Sequence, residues 1–179
     1  MISSDKAAAL VLALMRVNSP LKIIMKSLME QVGLSVNEWR VVHTIARSHP
    51  AFTASDIGRR LRLPRQTIQR IADDLKRRGL LEFKPNPDHK KASILALSET
   101  GRSVYAAANR RQYDFGEWLS QDLSAAEVAT TLGLLEKLEI RAGRADFEML
   151  CEGKYPPPAA ERAGRRASGD PLHNCPPSG

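Results

Sequence analysis

Two short segments with apolar faces, separated by three residues, set the tightest limit on how this chain can fold. Thr53-Ala-Ser-Asp56 has the residue types of a helix start, and Ile57 and Leu61 follow it at helical spacing. Arg62-Leu63-Pro64 breaks the pattern as a tight turn. A second run then places Ile68, Ile71, Ala72 and Leu75 on one face, and Gly79 supplies its stop. Pro64 suits the first position of this second helix, because the first turn leaves its amides unbonded anyway. Two helices joined by so short a turn cannot run in line. They cross, and the stripe of the second must pack inward.

The residues after Gly79 extend the pattern. Leu80–Lys84 and Ser93–Leu97 are short apolar stretches on either side of a polar, basic tip that ends in Asp88-His-Lys-Lys91, which predicts a β-hairpin. Helix, turn, helix and hairpin in this order is a winged helix-turn-helix. The flanks read as helices. Leu10, Val11, Leu14, Val17, Leu21, Ile24 and Leu28 recur at helical spacing over 3–31, with Pro20 predicting a kink or a division in two. Ser35-x-x-Glu38 and Ser124-x-x-Glu127 are capping boxes, and Ser98 caps a long helix to about Leu119. In that helix Val104, Ala108, Phe115 and Trp118 are the expected inward positions. The helix opened by Ser124 is expected to reach as far as Leu150. The fold class is therefore mainly α with a small β-hairpin wing. After Gly153 the composition turns to Pro, Gly, Arg and Ser, which predicts a disordered tail over 154–179.

Charge separates the segments further. The chain carries +7 net, and Thr53–Lys91 alone holds eleven Lys/Arg against five Asp/Glu. A basic excess confined to one module suits a polyanion. No uninterrupted apolar run approaches the roughly 20 residues of a membrane span. The longest, Ala7–Met15, follows Asp5 and lacks a cleavage site, so a cytoplasmic protein with no membrane partner is expected. Cys151 and Cys175 make no disulfide framework. His43, His49, His89 and His173 show no metal-ligand spacing, and no cofactor motif occurs. Asp73 and Asp74 are neighbours on a helix and point apart, so they form no facing pair for catalysis, and no enzyme is expected.

The second helix has the chemistry of a base reader. Arg65, Gln66, Thr67, Gln69 and Arg70 fall on or near its N-terminal half, where a recognition helix meets base edges. Arginine suits guanine, and glutamine suits adenine, in the major groove. Lys76, Arg77 and Lys84 suit phosphates, and Asp88, His89, Lys90 and Lys91 form the hairpin tip. RNA reading is disfavoured because Phe83 is the lone aromatic beside the wing, too few for a stacking platform.

Several separated stretches resemble the multiple-antibiotic-resistance regulator (MarR) family of bacterial transcription factors. They are Gly33-Leu-Ser-Val-Asn-Glu-Trp-Arg40, Thr53-Ala-Ser-Asp-Ile57, Arg65-Gln-Thr-Ile-Gln-Arg70 and Arg77-Arg-Gly-Leu-Leu81. The family's wing signature, Asp-x-Arg followed six residues later by Leu-Thr, is matched by Asp88-His-Lys90 and Leu97-Ser98, with Gly101 beyond. Lys90 replaces the wing arginine, and Pro64 stands where a serine is common. The resemblance extends over roughly residues 5–145.

It implies a single domain over 1–153, with a winged helix-turn-helix at 35–98 and a helical dimerisation part at 1–32 and 120–150. It also implies a homodimer on a pseudo-palindromic double-stranded operator, acting as a repressor in the bacterial cytoplasm at the nucleoid. Relatives often release DNA on binding a small aromatic or phenolic ligand, so an aromatic acid or thioester effector is an expected partner. Arg16, Trp39, Arg40 and His43 are the candidate ligand residues. Two rival functions are a winged-helix protein–protein module and a redox-responsive regulator using Cys151.

Overall fold

A computed structural model of the chain describes residues 3–49, 51–87 and 92–143. The first helix, α1 (Ser4–Glu30), runs without interruption through Pro20. The expected division at the proline does not occur. Pro20 is exposed, and solvent can satisfy the carbonyl that loses its amide partner. By length and composition α1 is also apolar enough to cross a membrane, with a mean hydropathy of 1.5 over its best 18-residue window. No unbroken apolar run marks it, because Arg16, Asn18 and Ser19 interrupt the sequence without lowering the mean far.

The helix-turn-helix follows as α2 (Val36–Ala46), α3 (Ala54–Leu61) and α4 (Arg65–Arg77). Capping boxes at Ser35/Glu38 and Thr53/Asp56 set the starts of α2 and α3. Pro64 is the N-cap of α4, with extended ψ of 140°, so Arg65 takes the first helical position expected for the proline. The reason is geometric: the turn needs Arg62 at φ 53°, and the chain becomes helical only after Pro64. Strands β1 (Leu81–Lys84) and β2 (Ile94–Leu97) pair antiparallel with Leu81 opposite Leu97. Thr53 adds a bridge to Ile94. The last helices are α5 (Glu99–Ser120) and α6 (Ala125–Ala142).

The chain divides into two compact units between Gln121 and Asp122. In the first, an aliphatic core gathers Met29, Leu34, Val41, Val42, Ile57, Ile68, Leu75, Leu81, Leu95 and Ala108. Ile68, Ala72 and Leu75 are fully buried, which ties α4 to that core along the expected stripe. In α5, Ala108 is buried but Trp118 is 61% exposed, contrary to its expected inward placement. Its ring stacks on Phe115 at 5.9 Å instead. In the second unit, α6 has no buried residue and exposes Leu132, Leu134, Leu135 and Ile140. The segment from 144 on, including Cys151 and the tail expected at 154–179, lies outside the described residues.

Among the described residues two glycines have positive φ, and each ends a helix. Gly33 (φ 71°) follows α1, and Gly79 (φ 73°) follows α4. Each makes the same pair of bonds: Leu34 N–H to Met29 and Gly33 N–H to Glu30, then Leu80 N–H to Leu75 and Gly79 N–H to Lys76. This is the Schellman arrangement, and the accompanying apolar pairs Met29–Leu34 and Leu75–Leu80 are buried. Each glycine carbonyl is then used at long range. Gly33 O accepts from Arg78, and Gly79 O accepts from the Ser98 hydroxyl at 2.6 Å.

Candidate nucleic-acid interface

The turn between α3 and α4 fixes how α4 is presented. Leu63 N–H bonds to Gly58 O at 3.0 Å, closing the turn over Gly58. A Cβ on Gly58 would lie 2.9 Å from Leu63 O, so the approach requires glycine there. Asp56 completes the α3 cap. Hydrogen bonds from the Thr53 hydroxyl and amide hold its carboxyl below the usual carboxylate range. No side chain caps α4; Pro64 O takes the Thr67 and Ile68 amides, which leaves those of Arg65 and Gln66 without a cap, as suits an anion.

With Ile68, Ile71, Ala72 and Leu75 turned inward, Arg65, Gln66, Arg70, Asp73, Lys76 and Arg77 are exposed, while Thr67 and Gln69 are half-buried. The structure divides these residues by occupancy. Among the described residues no side-chain hydrogen bond or ion pair engages Arg65, Gln66 or Arg70. Gln69 donates to Asp73 at 2.9 Å. Lys76 lies over the Phe83 ring at 4.6 Å, and Arg77 pairs with Asp74. Lys84 stands 3.8 Å from Glu82 on the exposed side of β1. Of the groups suited to bases, Arg65, Gln66 and Arg70 are thus open while Gln69 is engaged by Asp73, and those suited to phosphates are held by neighbours. Asp88, His89, Lys90 and Lys91 lie outside the described residues.

Two concavities flank α4. A groove of about 990 Å³ runs between the start of α2, at Ser35 and Glu38, and Gln66, Gln69, Arg70 and Arg77. A smaller one of about 240 Å³ lies toward the wing, where Arg65 and Gln69 meet Ser55, Phe83 and Ser93. Sequence reasoning missed a further basic set on the α3 side. Arg59, Arg60 and Arg62 are exposed around the turn, with Arg59 paired to Asp56 and Arg60 5.9 Å from the Phe52 ring centroid. Their signal was the Arg59-Arg60-Leu-Arg62 run directly before the turn. The first helix of such a motif crosses the DNA backbone, where arginine is useful.

The candidate ligand residues separate into three places. His43 lies between two rings, tilted against Trp39 at a centroid distance of 5.3 Å and against Tyr105 of α5 at 5.9 Å. Trp39 Nε1 and His43 Nδ1 are buried there without a partner. Burial, and then the Arg47 charge, push the His43 imidazole below its usual pKa. Arg40 instead donates to Leu61 O at 3.2 Å and lines a pocket of about 590 Å³ between α1 and α2. That pocket also holds Lys22, Lys26, Leu21 and Met25, none of which was expected from the sequence as a ligand residue. Arg16 is exposed on α1 and lines neither place. No cluster of metal-ligating side chains occurs among the described residues.

A family model described as the MarR family matches residues 32–92. An uncharacterized protein of Mycobacterium tuberculosis is 30% identical over 135 residues, covering 75% of this chain and 93% of that protein. Two solved structures share the fold. One is a mutant MarR from E. coli complexed with operator DNA, with TM-score 0.64 and 22% identity, covering 77% of this chain and 99% of that one. The other is the PcaV transcriptional regulator of Streptomyces coelicolor in complex with its natural ligand. It has TM-score 0.63 and 22% identity, covering 79% of this chain and 99% of that one.

Proposed function

The chain belongs to the MarR family of transcription regulators, and from that premise we propose that it is a homodimeric repressor reading a pseudo-palindromic operator. One observation carries the reading. Arg65, Gln66 and Arg70 stand open at the N-terminal half of α4, on a helix anchored by the buried stripe Ile68, Ala72 and Leu75. Arginine and glutamine there can make paired hydrogen bonds to guanine and adenine edges. Thr67 and Gln69 stand beside them. Lys76, Arg77, Lys84, the Arg59–Arg62 run and the hairpin tip would meet phosphates or the minor groove.

Residues 35–98 act as the reading head, and 1–32 with 120–150 hold two copies about one helical turn apart on the duplex. The exposed apolar residues Val11, Leu12, Met15 and Ile23 of α1 suit that role, as do those of α6. Release by a small aromatic acid is the second part of the proposal. Arg40, Lys22 and Lys26 offer positive charge to a carboxylate, with Leu21 and Met25 beside its apolar body. The likeness to the ligand-bound Streptomyces coelicolor regulator supports a small-molecule effector.

Selection of duplexes from a random pool by the full-length protein tests the reading, followed by binding titrations over a salt series. A preferred inverted repeat is expected. So is a steep fall of affinity with salt, with a logarithmic slope of about 0.9 per neutralised phosphate. A flat salt dependence and no selected sequence would instead indicate a protein-binding module.

A further inference from the structure

The basic run Lys76-Arg77-Arg78 closes α4, but its three side chains do different things. Arg77 is 76% exposed and bonds only within its own helix, to Asp74. Arg78, at the C-cap, is 36% exposed and turns away toward the corner between α1 and α2. One of its amino groups donates to Glu38 Oε1 at 2.6 Å, and the other to Gly33 O. Asp74 Oδ2 lies 3.4 Å from the first. Glu38 is itself divided: Oε2 accepts the Ser35 amide at 2.6 Å and closes the α2 cap, leaving Oε1 for Arg78. The Glu38 side chain is 14% exposed, so the carboxylate half of this pair is largely covered while the Arg78 half stays open to solvent. One guanidinium therefore joins the end of α1, the start of α2 and the end of α4.

On the reading that α4 is the recognition helix, we infer that Arg78 is a positioning residue for DNA recognition, holding α4 at the angle that brings Gln66, Gln69 and Arg70 to the bases. Helix α4 has 13 residues and is about 20 Å long. A rotation of about 3° at its Arg78 end moves the other end by about 1 Å, enough to spoil a paired hydrogen bond to a base. The planar fork matters, since a lysine carries the charge but reaches one acceptor well rather than two.

The test uses the full-length protein, the duplex it selects from a random pool and a scrambled duplex of equal length. Arg78→Ala, Arg78→Lys and Glu38→Gln are compared by fluorescence anisotropy over a salt series. Glu38→Gln preserves the capping box, because glutamine serves at that position, and removes the nearer of the two carboxylates that pair with Arg78, leaving Asp74. Operator affinity is expected to fall about tenfold in Arg78→Ala, the size of one misaligned base contact, and nearly as far in Arg78→Lys. Scrambled-duplex affinity and the operator salt slope should stay at wild-type values in Arg78→Lys, and scrambled-duplex affinity should stay or rise in Glu38→Gln.

Glu38→Gln discriminates most sharply. Removing a negative charge beside the DNA face should tighten binding on electrostatic grounds, whereas the positioning role predicts weaker operator binding. The inference is overturned if Glu38→Gln binds the operator as well as wild type or better. A uniform loss on both duplexes, with the Arg78→Ala slope lowered by about one, overturns it too, because that marks a phosphate contact. A uniform loss without a slope change overturns it as well, by marking general misfolding. If the wild type selects no sequence, the regulatory reading itself falls, and the inference with it.

Discussion

Replacing Gly101 and Gly116 of α5 by alanine should move stability in opposite directions, although the chemical change and the helix are the same. A Cβ on Gly101 would lie 2.0 Å from Leu80 O and 2.9 Å from its carbonyl carbon. An ordinary contact begins near 3.4 Å, so the start of α5 must retreat from Leu80 by more than an ångström. The retreat stretches the Ser98 N–H bond to Leu80 O, now 3.1 Å, and the Ser98 hydroxyl bond to Gly79 O, now 2.6 Å. Two such bonds are worth about 1 kcal/mol each, and overpacking adds about 1–3 kcal/mol. Alanine's helical preference returns about 1 kcal/mol. The net loss is about 2–4 kcal/mol. At Gly116 nothing lies within 4 Å, so only the helical gain of about 0.5–1 kcal/mol remains. For a chain of this size each kcal/mol moves the melting temperature by about 2–4 °C. Thermal unfolding followed by far-ultraviolet circular dichroism should therefore show Gly101→Ala melting well below wild type and Gly116→Ala slightly above it. A Gly101→Ala protein melting at or above wild type would refute the close approach of α5 to Leu80.

Arg70→Ala should cost about 1–3 kcal/mol of operator affinity and relax base preference at one position, read by repeating the duplex selection; an unchanged preference places Arg70 away from the bases. His43 titrates below its usual 6.5 because it is buried beside Arg47, so its neutral form is the folded one. The unfolded chain then binds the proton more readily, and stability should fall as pH drops through and below 6.5, a slope that His43→Phe flattens in denaturant titrations. Asp56→Ala removes half of a capping box and should lower stability by about 1 kcal/mol at neutral pH. The Asp56 carboxyl is depressed below 3.8, so its contribution is present above that pH and lost as pH falls through the depressed value. The gap between variant and wild type should therefore close in acid, as urea titrations can measure.

Much of the fold was legible because its signals are local. Ile68, Ile71, Ala72 and Leu75 carry the helical period within a single element, and both ends of the Ser35 and Ser124 capping boxes lie within four residues. Features set by distant partners were not. Pro20 reads as a break, yet an exposed helix face tolerates it, and Pro64 reads as the first helical residue until the turn's geometry shifts it by one. Trp118 fits the inward period of α5, but α5 has little core beneath it beyond Ala108. At the interface the residue types at Arg65, Gln66 and Arg70 sufficed, because the stripe alone decides which way they face. The occupancy of Lys76 by Phe83 and of Arg77 by Asp74 needed coordinates. Arg78 was hidden in a run of like charges, its partners 40 and 45 residues away.

The two helix-ending glycines also define where the reading head could be cut from its surroundings. Their carbonyls are main-chain acceptors, so side-chain substitution can remove the donors Arg78 and Ser98 but cannot supply a different acceptor in their place. Anyone transplanting this head onto another dimerising arm, to redirect an operator specificity, must therefore carry the joints along with it. The portable piece begins at Met29, whose buried side chain closes the first joint, and ends at Gly101, whose missing Cβ permits the second. A graft limited to 35–98 would keep the Gly79–Ser98 joint but leave Gly33 and Gly101 behind, so Arg78 would lose its main-chain acceptor and α4 its tie to the end of α1.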